Sequence, residues 1–466
     1  MRNHTQEAAR LDLAAEIYDD HVRSKPRQQF ERTGTRGGYS PTRRLRRMKG
    51  SDMTTVSRRD FFALTAAGAA VAMGARAGAP AQAAGLGSIT RNVEPISAQE
   101  HGKRLSKLQG LMQRQKTAAF LVESGASLEY FTGIRWWRSE RTTAALIPAD
   151  GRVVVVTPYF EEPSIRETLK IEADVHPWKE DQSPFALLAA ALKDHASGPL
   201  AIEPTTRMFI VDRVIGASGG RQVVPGDELI RACRMIKSPL ELAQLQAAND
   251  VTIAALRHTH GRIEAGMTGA DILAVMVAAT NALGGSHEFS LVLLNEASAY
   301  PHGSIKTQKV RAGSIVLIDT GCSVHGYQSD ITRTWVFGEP SKRQREIWDT
   351  VKRGQELALE TAKLGGPCGA VDKAVRDFYE QKGWSKDYGL PGLSHRTGHG
   401  IGMDVHEAPY LVRNDTTPLA AGMCFSDEPG IYVPGEFGVR LEDCWHMTEA
   451  GPKLFTALAK SLDQPV

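Results

Sequence analysis

With 466 residues, 42% of them hydrophobic and 23% charged, the chain is long enough for two or three domains with buried cores and has an ordinary globular composition. Residues 1–83 hold 15 Lys/Arg against 8 Asp/Glu, so the formal charge of +3 leaves about −4 on the remainder and excludes a basic nucleic-acid footprint there. Five cysteines, odd in number and without a CxxC pair, exclude a disulfide framework or a zinc ribbon; Cys322, Cys424 and Cys444 lie in apolar runs and read as buried free thiols.

Residues 1–52 are rich in Arg, Gln, Ser and Gly, lack apolar periodicity, and read as a disordered tail or an over-called start, with Met48 and Met53 as alternative starts. Ser57-Arg58-Arg59-Asp60-Phe61-Phe62 then opens an Ala/Gly-rich stretch ending in Ala81-Gln82-Ala83. Over residues 53–83 this resembles a twin-arginine signal peptide, which implies recognition by the twin-arginine export machinery and a periplasmic or secreted protein. The apolar run falls short of the roughly 20 residues of a membrane-spanning helix, so no stable membrane association is expected. Residues 84–97 read as a linker.

Residues 98–227 give a helical pattern on Leu105, Leu108, Leu111 and Met112, then strand-like runs at Ala118–Val122, Ala144–Ile147 and Val153–Val156. The order strand, turn, strand, helix, repeated once, predicts a small α/β domain. Residues 228–466 begin a second unit. Ser238-Pro239-Leu240-Glu241 predicts a capped helix to about Glu264, and Thr268-Gly269-Ala270-Asp271 caps another ending at Gly284-Gly285. Strands at Ser314–Asp319 and Tyr327–Phe337, helices at Ser341–Leu364 and Ala370–Lys382, and strands at Met423–Glu428 and Gly438–Met447 complete it. A helix pair with a strand pair, repeated, predicts a pseudo-twofold α/β arrangement.

Charged residues inside these apolar segments carry the chemistry. Asp319 ends one predicted strand and Asp330 begins the next, so a hairpin through Gly321–Gly326 would bring both carboxylates to one end. His395, His399 and His406 fall within twelve positions, His399 between glycines that let backbone approach closely. Glu428 precedes a Pro-Gly turn, and strand alternation puts Arg440 and Glu442 on one face with Asp443 opposite. Asp319, Asp330, His399, His406, Glu428 and Glu442 form a hard oxygen/nitrogen set suited to Mn, Co, Zn or Fe. Four crowded carboxylates repel unless cations neutralise them, and two divalent ions would do so.

These segments resemble the M24B metallopeptidases, the prolidases and aminopeptidases P of pita-bread fold, over roughly residues 100–460, with Leu128-Glu129-Tyr130-Phe131-Thr132-Gly133 marking a creatinase-type N-terminal domain. The fold class this implies is α/β (α+β), a creatinase-type α/β domain followed by a pseudo-twofold pita-bread catalytic domain. The resemblance implies five metal ligands, Asp319, Asp330, His399, Glu428 and Glu442, spaced as in the prolidase branch, for two divalent ions, Mn2+ first, with Co2+, Zn2+ or Fe2+ as alternatives. It moves His406 from the ligand set to catalysis beside His302 and Glu428, and assigns His395, Arg440 and Tyr432 to substrate binding. The implied reaction is hydrolysis of the Xaa-Pro bond by a metal-bridging hydroxide, on dipeptides first, in a homodimer or higher oligomer. Aminopeptidase P action on longer proline peptides, a DMSP-lyase-like activity and a non-catalytic binding module are the alternatives; the binding modules have lost ligands that this chain keeps. The loop Arg135-Trp136-Trp137-Arg138 is either an aromatic surface loop or one that reaches a neighbouring subunit.

Overall fold

The computed structural model describes residues 83–193 and 197–466. The tail at 1–52 and the signal peptide at 53–83, its last residue apart, lie outside the described residues. Helix α1 (Ala98–Gln115) opens on Ser97, whose hydroxyl accepts the Glu100 amide. It is followed by β1 (Ala119–Glu123), α2 (Ala126–Thr132), β2 (Ala144–Pro148), β3 (Val153–Pro158), α3 (Glu162–Thr168), β4 (Ala173–Trp178), α4 (Pro184–Lys193), β5 (Leu200–Ile202), α5 (Met208–Ala217) and β6 (Val223–Pro225). The strands form one sheet in the order β4-β3-β2-β1-β5-β6, with β2 antiparallel to its neighbours. Both faces are covered, which explains the unbroken apolar runs. Phe120, Val122, Ala145, Ile147, Val153 and Val155 join one core, and the alternate residues Ala119, Leu121, Ala144, Leu146, Val154 and Val156 join the other.

Helix α6 (Asp227–Arg234) leads into the second domain. Helix α7 (Pro239–His260) carries the capping box expected at Ser238 and Glu241, and α8 (Gly269–Leu283) the one at Thr268 and Asp271. Strands β7 (Ser286–Leu294), β8 (Ser314–Val324), β9 (Tyr327–Gln328) and β10 (Ile331–Phe337) follow, then α9 (Lys342–Thr361) and α10 (Cys368–Gln381). The last strands are β11 (Gly398–Gly400), β12 (Glu407–Leu411), β13 (Cys424–Asp427), β14 (Gly430–Tyr432), β15 (Gly438–Arg440), β16 (Asp443–Thr448) and β17 (Gly451–Leu454). One sheet runs β10-β8-β7, with β9 on β8, against α7 and α8; the other runs β12-β11-β13-β16-β17 against α9 and α10. A bridge between Thr332 and Glu442 joins the two halves. This is the pita-bread arrangement, preceded by a creatinase-type domain.

The structure corrects several boundaries. Helix α7 stops at His260, before Gly261, rather than at Glu264. Strand β8 runs five residues beyond Asp319, so that aspartate sits in mid-strand opposite Thr332 and Leu291. The turn falls at His325-Gly326, both at positive φ, as a tight two-residue hairpin requires. The expected strand at 327–337 breaks at Ser329-Asp330, where the Ser329 carbonyl occupies the space a side chain on Gly321 would need, 2.2 Å from its Cβ position. The last closing strand is likewise interrupted, at Leu441-Glu442, and β7, β11, β12, β14 and β17 lie outside the expected strands. All five cysteines are free and buried. Among the described residues no helix is long and apolar enough to cross a membrane.

The two domains share a core. Leu108, Phe131 and Leu229 pack in one cluster with Leu245, Tyr327, Ile401, Cys424 and Cys444. Within it the Arg104 guanidinium donates to the Tyr327 hydroxyl at 2.8 Å, and that hydroxyl donates to Glu241 Oε1 at 2.9 Å. Glu241 also closes the α7 capping box through its other oxygen. Replacing Ser238 with Ala should therefore destabilise the fold by about 1 kcal/mol, read from chemical denaturation, with no change in secondary structure.

Candidate metal centre

Each half of the second domain contributes to one point. Asp319 comes from the middle of β8, Asp330 from the break before β10, His399 from the centre of β11, Glu428 from the residue after β13, and Glu442 from the crossing between β15 and β16. Ligand atoms of Asp319, Asp330 and Glu442 lie within 4.8 Å of one another, as do those of His399, Glu428 and Glu442, and those of Asp330, His399 and His406. Local sequence makes this convergence possible. A Cβ on Gly398 would lie 2.2 Å from the Ser426 carbonyl oxygen and one on Gly400 2.4 Å from that of Glu407, so the glycines beside His399 let three strands close together. The His399 amide donates to Ser426 Oγ, and the Glu428 amide to the Thr397 carbonyl, fixing β11 against β13.

The donor set fits divalent ions. His399 is buried, and burial first, then His406, pushes its pKa well below the ordinary range, so the ring is neutral. Its Nδ1 lies 3.1 Å from the Gly400 carbonyl and donates to it, which turns the Nε2 lone pair toward Asp330 Oδ2 and Glu428 Oε1, each 3.5 Å away. A lone pair facing two carboxylates repels unless a cation lies between them. Oδ1 of Asp319, Oδ1 of Asp330 and Oε1 of Glu442 are buried without a hydrogen-bond partner among the described residues. Burial, followed by mutual repulsion, raises the pKa of Asp330 and Glu442 well above the carboxylate range. Burial likewise lifts Glu428, to about 7, with Arg440 opposing and Asp319 reinforcing the shift.

Arg440 and Tyr432, which the resemblance assigns to substrate binding, are buried beside the carboxylates. Arg440 NH2 donates to Asp319 Oδ2 at 2.6 Å, its Nε to Thr332 Oγ1 at 3.1 Å and its NH1 to the Tyr432 hydroxyl at 2.9 Å. Its carboxylate partner is thus Asp319, and its link to Glu442 runs through Thr332, whose hydroxyl donates to Glu442 Oε2 at 2.7 Å. Burial raises Tyr432 to about 12, and its hydroxyl donates to His395 Nε2 at 2.7 Å. Burial and Arg440 depress His395 to about 3, so it is neutral, with Nδ1 donating to the Arg396 carbonyl at 2.8 Å. These groups fix the orientation of the Asp319 and Glu442 carboxylates, as outer partners of metal sites do.

His406 and His302 are exposed. The His406 ring lies against His399, centroids 4.2 Å apart, and its pKa is lowered by burial first, with Arg396 and His302 adding to the shift. Three groups at the site escaped the sequence reading. Thr332 was legible in principle, two residues from Asp330 on the same strand face. Arg396 stacks on Tyr410 at 4.4 Å, and among the described residues no carboxylate lies within ion-pair distance of it. Nothing local marks that absence. On the opposite face Arg333 grips Asp443 with two nitrogens, at 2.7 and 3.1 Å, aided by Gln355 and Thr456.

Comparison with known proteins agrees with this geometry. Residues 243–449 match the model of metallopeptidase family M24, and residues 104–236 that of the creatinase/prolidase N-terminal domain. The chain is 30% identical over 372 residues to an Xaa-Pro dipeptidase of Lactobacillus helveticus, covering 77% of this chain and 98% of that one. The crystal structure of dipeptidase PepE from Mycobacterium ulcerans superposes with a TM-score of 0.72 at 30% identity, covering 78% of this chain and 97% of the other. That of an X-Pro aminopeptidase from Thermotoga maritima gives 0.68 at 28% identity, covering 77% and 98%. Fold, ligand set and similarity together establish that the chain belongs to metallopeptidase family M24.

Proposed function

We propose that this metallopeptidase uses two divalent ions to hydrolyse the bond before proline, with dipeptides as its preferred substrates. The observation that carries the reading is the convergence of four carboxylates and a neutral His399 on one buried point, three of their oxygens lacking a hydrogen-bond partner among the described residues. Asp319, Asp330, His399, Glu428 and Glu442 would hold the ions, Mn2+ first among Co2+, Zn2+ and Fe2+. Bound there, the ions would supply an activated water and a Lewis acid. The remaining work falls to the chain. Glu428, beside the point where water would be activated, can take the proton that water loses and pass it to the departing proline nitrogen. His406 and His302, both exposed beside the ligands, can donate to an oxygen that gains charge during attack.

Arg396 favours short substrates. Its guanidinium, stacked on Tyr410 and without a carboxylate partner among the described residues, offers an anchor for a substrate carboxylate, and in a dipeptide the free carboxylate follows proline directly. Similarity to an X-Pro aminopeptidase supports the second reading, action on longer peptides. We also propose export through the twin-arginine pathway to a periplasmic or secreted location, and a homodimer or higher oligomer. Exposed Trp137, Tyr159, Phe160, Met208 and Phe209 lie in segments beyond the end of the N-terminal sheet where β3 and β5 finish and β2 begins, and support association there.

Three outcomes are expected. Hydrolysis of Xaa-Pro should exceed that of Xaa-Pro-Xaa, and Arg396→Leu should narrow the difference about tenfold or more through KM; equal turnover of both lengths with wild type would favour the aminopeptidase reading. In metal-free protein the raised carboxyls bind more protons folded than unfolded between about pH 4 and their raised values. The melting temperature of metal-free protein should therefore fall from about pH 5 to 8, and saturating Mn2+ should abolish that slope; a rise over the range would count against the buried carboxylate cluster. Tagged protein should leave the cytoplasm only with Arg58 and Arg59 intact and should sediment as an oligomer; cytoplasmic retention or a monomer would discard the respective idea.

A further inference from the structure

Two buried cations at the domain junction turn toward the loop that carries His406. Arg234, the last residue of α6, donates through NH2 to Asp404 Oδ2 at 2.8 Å and to Glu407 Oε2 at 2.6 Å. Lys237, just ahead of the α7 cap, donates to Glu407 Oε1. The side chains of Arg234 and Lys237 are only 6% and 2% exposed. Arg234 NH1 also reaches back to Ser127 Oγ, at 3.1 Å, in α2 of the first domain. The loop fits closely around this cluster: a Cβ on Gly402 would lie 2.5 Å from Glu407 Oε1, and the Gly402 carbonyl accepts the Gln328 amide.

Among the described residues no hydrogen bond holds the His406 ring, whose ring contact is His399. Its placement is therefore inherited from Asp404 and Glu407, two residues before it and one after. A buried ion pair is a weak source of stability compared with apolar packing, and its better-attested use is to select one conformation. Here two cations and a buried carboxylate meet beside an exposed histidine that has no anchor of its own.

We propose that Arg234 and Lys237 are positioning residues that set the His406 loop through Glu407 and Asp404, and that the contact with Ser127 ties that loop to the N-terminal domain. The proposal rests on the peptidase reading for its kinetic consequence, though not for its structural one. Arg234→Met frees the loop without touching a metal ligand. A displacement of about 1 Å can cost about 100-fold in rate, so kcat should fall about 10- to 100-fold with KM and bound metal unchanged. Arg234→Lys should recover part of the loss.

The decisive comparison uses His406→Ala. If Arg234 acts through His406, Arg234→Met should add no further loss of kcat in that background; a full additional loss would overturn the proposal. Hydrogen–deuterium exchange gives a readout that needs no turnover. Arg234→Met should speed exchange across residues 401–411, and unchanged exchange there would also overturn the proposal. Should Arg234→Met not fold, Asp404→Asn, at a side chain 51% exposed, undergoes the same two comparisons with the same deciding outcomes and a smaller expected loss. Wild type that cleaves no Xaa-Pro bond would overturn the peptidase reading, and exchange alone would then decide this one.

Discussion

Like charges buried together are the constraint around which the second domain is built. Asp330 and Glu442 are almost wholly withdrawn from water, and Asp319 and Glu428 lie beside them. Such a cluster costs free energy in any fold unless cations offset it. The chain supplies one offset itself, the Arg440 guanidinium on Asp319. The remaining charge defines a demand that divalent ions satisfy. Two sheets, four helices and the bridge between Thr332 and Glu442 serve to hold these carboxylates in place while that demand persists.

Strand alternation separates two ionic layers. On the site side, Thr332 and Thr334 of β10 stitch that strand to Glu442 and to the backbone of Arg440. On the reverse side, Arg333 binds Asp443 and the Glu442 carbonyl, so β10 and the segment carrying Glu442 are pinned to each other from both faces. Asp427, adjacent to Glu428, lies fully buried beside Asp443, its carboxyl pushed well above the ordinary range by burial and then by that neighbour.

What was legible in the sequence follows from the range of the forces involved. The capping boxes at Ser238 and Thr268 are four-residue devices and could be read directly. The six carboxylate and imidazole candidates stand out because ionisable groups are rare inside apolar segments, and the family resemblance is what reduces them to five ligands. Strand β7 was missed because Ser286-His287-Glu288-Phe289-Ser290 mixes polar and aromatic residues without a clean period of two. Helix α7 was drawn too long because Ile263 continues its apolar pattern past Gly261. The partner that Arg440 takes is not legible for a different reason. Its guanidinium meets Asp319, more than a hundred positions away along the chain, and no local pattern encodes which side of a carboxylate an arginine will occupy.

The shared core at the junction bears on how this architecture can change. Two separate family descriptions divide the chain near residue 240, which suggests interchangeable modules. Yet Leu108, Phe131 and Leu229 on one side and Tyr327, Ile401 and Cys424 on the other fill a single interior. A recombination break at that boundary would cut through packed side chains rather than a linker. Inheritance of the two parts is thereby coupled: a substitution such as a larger residue at Leu108 must be accommodated by strands that also carry the catalytic apparatus.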